Sequence, residues 1–309
     1  MKISTSTSVF KNLKAKGTDE VKIQMGVSQM KKIRSTTIIA YIFLLIMTVL
    51  WVFPLSFGIF TSFKSEAEIA AVGFQLLPVN WTLNHYISVL NDTSSAPILR
   101  WMINSLTIST IHTFLVVTVV STAAYGYTRL KFKGRDTMFW ILMSASMFPG
   151  IVNLIPTYRI VDTFGWVNSI WAAIVPGLGG VANIFLVRQF MRGIPMEYDE
   201  SARIDGANDF QIYFKVILPL IKPVLIVVAL FSFTGSWNDF LWPSIIFNGV
   251  DRMPITVGLQ LLQGLYGDYM SLGRLMASAS IALIPTFLVF LFAQKYFIES
   301  LSLTSGVKG

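Results

Sequence analysis

The chain has 309 residues, of which 54% are hydrophobic and only 13% charged, with a mean hydropathy of +0.63 and a net charge of +8. Soluble domains carry about a quarter of their residues as charges, so this chain has too few to cover a water-facing surface, and the class it fits is an all-α polytopic membrane protein. Cysteine is absent, which excludes a disulfide framework and any thiolate metal site.

Residues 1–35 are polar and carry 8 Lys/Arg, which reads as a loosely ordered cytoplasmic tail. They do not look like a cleaved signal, because the first long apolar run begins only near Thr36 and is long enough to span a bilayer. A helix rises about 1.5 Å per residue, so roughly twenty apolar residues cross the hydrocarbon core. Runs of that length near 36–60, 102–127, 137–158, 167–190, 223–247 and 272–297 predict six transmembrane helices within a domain covering 36–309. The third and fourth are interrupted by Pro149, Pro156, Pro176, Gly150, Gly177, Gly179 and Gly180. Such breaks are tolerated where neighbouring helices or a wet cavity satisfy the freed backbone groups.

An even number of spans puts both termini on one side, and the basic residues say which. With the N-terminus inside, the inner segments 1–35, 128–136, 188–222 and 295–309 hold 19 of the 24 Lys/Arg, an asymmetry that predicts cytoplasmic termini and accounts for the net charge without nucleic acid. Two longer outer loops follow, 61–100 and 248–273. The first is polar and long enough for a small cap. The second has an apolar middle at Leu259, Leu261, Leu262 and Leu265 and admits two readings: a tip that engages an external partner, or a loop folded over the helix ends.

The inner segment 194–223, "IPMEYDESARIDGANDFQIYFKVILPLIKP", is a charged island between apolar runs. Pro195 suits a helix first turn, and Glu197, Asp199 and Glu200 then complement the helix dipole. Asp199 and Arg203 are four apart and able to pair. Gly206 can take a positive φ and turn the chain between two short helices, and Phe210, Phe214 and Ile217 form an apolar stripe on the second. Read by its chemistry alone, the segment is an amphipathic loop at the membrane surface.

Its spacing says more. Glu200-Ser201-Ala202, Gly206 and Val216-x-Leu218-Pro219 resemble the E-A-A-x3-G-x9-I-x-L-P loop of ABC importer permease subunits, with Ser201 and Val216 as small departures. "RIDGAND" and "ILPLIKP" look like the carbohydrate branch, and "SWNDFLWP" (236–243) and the terminal "LTSGVKG" are similar to the smaller permease subunit of maltose-type importers. The resemblance covers roughly residues 36–309. It implies a type I importer fold of six helices, a second permease subunit as heterodimer partner, and two copies of a cytosolic ATPase that holds ATP and Mg²⁺. An extracytoplasmic sugar-binding protein would deliver the sugar, and the complex would sit in a prokaryotic inner membrane. It also implies that Glu200, Ser201, Ala202, Asp205, Gly206, Leu218 and Pro219 couple this chain to the ATPase.

No phosphate-binding G-x-x-x-x-G-K-[ST] occurs, so the chain itself is not expected to bind a nucleotide or to be an enzyme; no catalytic constellation and no metal site is evident. Sugar handling asks for aromatic faces and amides in a wet cavity. Trp237, Asn238, Asp239 and Trp242, with Asn153 and Tyr158 beside the break in span three, supply that mix. The plainer account of the first four is an aromatic belt with a helix-terminal Asp. His112, alone in span two, reads as a packing or hydrogen-bonding residue, and His85 carries no signal. An ion-coupled secondary transporter would want ionisable residues in mid-span, which are almost lacking; a membrane scaffold is the other alternative.

Overall fold

The computed structural model describes residues 37–71, 73–265 and 272–305, which are helical with no strand among them. The basic tail and the last residues of the chain lie outside the described residues. The chain divides into two units, residues 1–58 and 59–309. The described part of the first is most of α1 (Thr37–Thr61), a 25-residue apolar helix whose large side chains, Ile39, Tyr41 and Trp51 among them, are exposed.

In the second unit, α2 (Glu66–Ala70) and α3 (Asn84–Asn91) precede the long helix α4 (Ile98–Arg129), whose 32 residues extend about 48 Å. Then come α5 (Arg135–Ala145), a 3₁₀ turn (Gly150–Asn153), α6 (Leu154–Thr163), α7 (Ile170–Ile174) and α8 (Val181–Arg192). The charged loop holds α9 (Glu197–Ile204), α10 (Asp209–Ile212), a π turn (Tyr213–Ile217) and α11 (Leu218–Leu220). The chain finishes with α12 (Lys222–Asn238), α13 (Leu241–Ile246), a 3₁₀ turn (Val250–Arg252), α14 (Ile255–Leu265) and α15 (Leu272–Ser305).

The membrane spans are less regular than the apolar runs predict. Among the described residues three helices, α1, α4 and α15, are long and apolar enough to cross a membrane, and five segments qualify if each of two bent pairs is one span. The third predicted span is such a pair, bent by 92° between α5 and Gly150–Thr163, where Pro149 and Gly150 fall. The fourth, 167–190, is not one helix: α7 stops, and α8 starts only at Val181. Pro176 cannot donate to the helix ladder, and Gly177 sits at φ +89°, which turns the chain out of α7. The fifth begins with Pro223 in the first turn of α12, where its missing N–H leaves no bond unmade.

Helix α4 is the common wall. One buried cluster (Val120, Ala124, Phe139, Val187, Ile217, Val228 and neighbours) joins it to α5, α8, the π turn and α12. A second (Ile98, Trp101, Trp237, Ile255, Leu262) joins it to α12 and α14, and a third (Ile108, Val161, Ala172, Ile174, Ile246) to α6, α7 and α13. Residues 248–265 of the outer loop fit the second of its two readings: they fold over the end of α4. Trp101 Nε1 donates to Val250 O (2.7 Å), Asn104 Nδ2 to Asp251 O (2.9 Å) and Met253 O (3.0 Å), and Ser105 Oγ accepts from Ile255 N (2.8 Å). Leu262 is buried and Leu259 and Leu261 pack beside it, so no apolar tip is formed by these three; the side chain of Leu265 lies outside the described residues.

Gly258 makes this packing possible, because a Cβ there would lie 2.1 Å from the ring of the fully buried Trp101. Gly258→Ala is therefore expected to destabilise the purified protein by about 1–3 kcal/mol, read as a lowered Tm in detergent. A wild-type Tm would show that the α4–α14 contact is looser than described.

Candidate functional site

The charged loop is built by local rules. α9 ends in the left-handed Gly206 at φ +82°, with Gly206 N donating to Arg203 O (3.0 Å) and Ala207 N to Ala202 O (2.9 Å). These are the paired bonds of a Schellman stop. Two residues later Asn208 and Gln211 form a reciprocal capping box, each side chain taking the other's backbone N–H at 2.9 Å. A helix stop placed directly against a helix start fixes the turn between α9 and α10.

Helix α4 then holds this pair from below. Arg129, its last residue, donates through Nη2 to Ile194 O (2.9 Å) and Met191 O (3.4 Å), through Nη1 to Met196 Sδ, and lies with Nε 3.5 Å from Asp199 Oδ2. Side-chain exposures of 2% and 4% make Arg129–Asp199 a buried ion pair. Tyr125 OH donates to Asp209 O (3.1 Å), and Ser121 and Tyr213 share a hydroxyl bond of 2.7 Å. Burial raises the Asp199 carboxyl above its ordinary value, and the Arg129 charge offsets part of that rise.

Several residues therefore differ from their sequence reading. Asp199 pairs with Arg129, not with Arg203, which reaches Asp209 instead; the partner 70 positions upstream was invisible to helix spacing. The stripe Phe210–Phe214–Ile217 does not share a face. The π turn shifts the register, so Ile212, Tyr213 and Ile217 are buried while Phe210 (77%) and Phe214 (57%) are exposed. Of the residues expected to couple, Glu200, Ser201, Asp205, Gly206 and Pro219 are exposed, whereas Ala202 and Leu218 pack against the protein's own core. Arg129 was missed, although a lone Arg closing a long apolar run is a legible signal.

The second group lies along α12 and α13. Trp237 is buried and stacks on Phe233 at 6.0 Å, so it is packing. Asn238 spends its amide on Thr234 O (2.8 Å) at the end of α12, and Tyr158 packs into the third cluster. Trp242 donates to Ala172 O (2.8 Å), and its ring is half-buried beside the third cluster. Asp239 directly follows α12, and the backbone N–H groups of Trp242, Phe240 and Leu241 lie near its carboxylate. Asp239 and Trp242 nonetheless line two cavities. One, of about 310 Å³, includes His112, Asn183 and Ser236; the other, of about 340 Å³, includes Asn153 and Thr157. Among the described residues no cluster of metal-ligating side chains occurs.

Comparison with known proteins decides the family. Residues 117–302 match the model of the binding-protein-dependent transport system inner membrane component. The chain belongs to this permease family. Within it, the chain is 30% identical over 270 residues to the arabinooligosaccharides transport system permease protein AraQ of Bacillus subtilis (87% of this chain, 94% of that one). It is 32% identical over 273 residues to the galactooligosaccharides transport system permease protein GanQ of the same organism (87% and 95%). Its fold is similar to a chain of a bacterial ABC transporter involved in the import of the acidic polysaccharide alginate, with a TM-score of 0.76 at 23% identity over 86% of this chain and 98% of that one. The permease fold and its membership of an inner-membrane transport system thus stand in place of the secondary-transporter and scaffold alternatives.

The ion pair at the base of the permease loop gives a test. Removing one member of a buried pair leaves a stranded charge and costs about 3–5 kcal/mol, whereas replacing both by apolar residues is often tolerated. Arg129→Met alone is expected to lower Tm sharply, and Arg129→Met with Asp199→Leu to recover much of the loss. Because the folded pKa of Asp199 is raised, its ionisation opposes folding as pH rises from the ordinary carboxylate range through that value. The stability gained by Asp199→Leu in the Arg129→Met background should therefore grow with pH over that window. No recovery would contradict the pairing, and a pH-independent gain would contradict the burial of the Asp199 carboxyl.

Proposed function

We propose that this permease is one transmembrane subunit of an ATP-driven, binding-protein-dependent sugar importer. It forms half of a translocation pathway with a second permease subunit. Two cytosolic ATPase subunits carry ATP and Mg²⁺, and an extracytoplasmic sugar-binding protein brings the substrate. The observation that carries the coupling role is the exposed face of the 194–223 loop. Ile204 (87% exposed), Phe210 and Phe214 stand in the open beside Glu200, on a helix pair fixed by a Schellman stop, a capping box and the Arg129 anchor. Large apolar side chains presented on a rigid, charged support suit a protein partner. The basic-residue asymmetry supports a cytoplasmic placement of that face and of both termini.

The sugar class is supported by the relatives, whose names include arabinooligosaccharide, galactooligosaccharide and maltodextrin transport. A solved relative of 16% identity and TM-score 0.61 is described in complex with an alginate pentasaccharide-bound periplasmic protein. In the resulting cycle, closure of the ATPase dimer moves the docked loop. Because α9, α10 and the π turn are tied to α4 through Arg129, Tyr125 and Ser121 respectively, the span moves with them and the pathway changes the side on which it opens.

Gly206 supplies the experiment. Proline fixes φ near −65°, incompatible with the +82° observed, while a Cβ alone meets nothing within 4 Å. Gly206→Pro is expected to abolish stimulation of ATP hydrolysis by the sugar-loaded binding protein while the second permease still co-purifies. Gly206→Ala pays only the left-handed strain of about 1–2 kcal/mol and should retain most of the stimulation. Normal sugar uptake by the Gly206→Pro transporter would refute the coupling role, and failure of an ATPase to co-purify with the wild-type chain would refute the assembly.

A further inference from the structure

The two cavities that share Asp239 and Trp242 lie where the predicted spans are broken. The first opens at the gap between α7 and α8, with Pro176 and Gly177 in its wall; the second opens at the bend after Pro149, with Gly150 in its wall. Irregular backbone at membrane depth is tolerated where it lines a polar cavity, so the breaks and the cavities have one explanation.

Their polar groups are set for hydroxyls. His112 Nδ1 is 2.8 Å from Ile174 O. A carbonyl only accepts, so Nδ1 carries a proton there, and Nε2 makes no hydrogen bond with any described residue. The Asn183 amide and the Ser236 hydroxyl make no hydrogen bond with any described residue, yet both stand in the cavity wall. Asn183 and Ser236 are half-buried, open to the cavity, while Ser232 Oγ in the same wall is buried without a hydrogen-bond partner, a cost that a polar occupant would remove. Trp242, its N–H already committed to Ala172, presents an aromatic face of the kind on which sugar rings stack. No Lys or Arg lines either cavity, and Asp239 adds a carboxylate. A volume of about 310 Å³ is at the small end for a ligand site, typically about 300–1,000 Å³, and the neighbouring cavity continues it across the shared wall.

We infer that this chain contributes two adjoining sugar subsites of its own, His112–Asn183–Ser236 and Asn153–Thr157, on either hand of the Asp239–Trp242 wall, and that they accept successive residues of an uncharged oligosaccharide and disfavour oligouronates. The inference rests on the importer reading and specifies which surface of this subunit meets the substrate. Asn183 and Ser236 are binding residues whose removal leaves no partner stranded, so their loss is silent in the fold.

The test is sugar uptake by the assembled transporter in proteoliposomes, with ATPase and binding protein present in fixed excess. Maltotriose, arabinotriose, galactotriose and trigalacturonate are the probes. Wild type should carry at least one neutral trisaccharide in preference to trigalacturonate. Asn183→Ala and Ser236→Ala should each raise the uptake KM about three- to tenfold, the equivalent of one hydrogen bond, with Tm and co-purification of the partners unchanged. Variants with wild-type KM would overturn the subsites while leaving the importer intact, and preferential uptake of trigalacturonate would overturn the neutral class. A wild-type transporter that carries none of the four probes would overturn the inference, whereas failure of an ATPase to co-purify would overturn the importer reading on which it rests.

Discussion

The structure hangs on a single helix whose two ends are each held by side-chain-to-carbonyl bonds. At one end Trp101 and Asn104 donate to the backbone of residues 250–253; at the other Arg129 donates to the carbonyls of Met191 and Ile194. Between those anchors, every buried cluster of the second unit includes residues of α4. Bonds from a side chain to another segment's backbone are insensitive to what that segment's own side chains are. They hold a loop in place while leaving its surface free to be shaped for a partner. A 32-residue helix without a proline or a kink-forming break transmits displacement along its axis with little loss, because each turn is braced by backbone hydrogen bonds.

The gross plan was legible from the chain. Apolar run length gave the helical membrane class, and the E-x-A…G…L-P spacing located the loop. What escaped was long-range or register-dependent. The Asp199–Arg203 pair satisfied helix spacing, but Arg129 competes for the same carboxylate from a site already dry, where an ion pair is less screened. The stripe from Phe210 to Ile217 assumed an unbroken 3.6-residue period; the π turn inserts a residue that no propensity marks. Trp237 and Trp242 looked alike in sequence, yet a five-residue offset buries one against Phe233 and turns the other toward a cavity. Hydropathy counted six runs because it averages over short interruptions, and Pro149 and the Pro176–Gly177 pair were noticed without revealing how far they would divide the helices.

Those interruptions have a physical logic. A bundle of uninterrupted apolar helices closes on itself and leaves no room for a hydroxylated solute. Ending α7 early and starting α8 late frees backbone groups and volume at the same depth, and the residues nearest the gap, His112, Asn183, Ser236 and Asp239, are polar ones that a lipid-facing span would not carry. Packing defects and polar side chains therefore coincide, whereas the tightest glycine contact, Gly258 on Trp101, lies at the end of α4 where the loop closes over it.

The π turn at Tyr213–Ile217 sets the outward face of the loop independently of its inward face. Ile204, Phe210 and Phe214 point away from the bundle, whereas Ile212, Tyr213, Ile217 and Ile221 point in. Substitutions on the outward residues do not propagate into the core, and repacking of the core does not rotate the outward residues. A permease built this way can change the outward face of its loop without rebuilding its membrane domain, and the stretch from Glu197 to Phe210 is the natural unit to exchange between related permeases when a chimera is wanted.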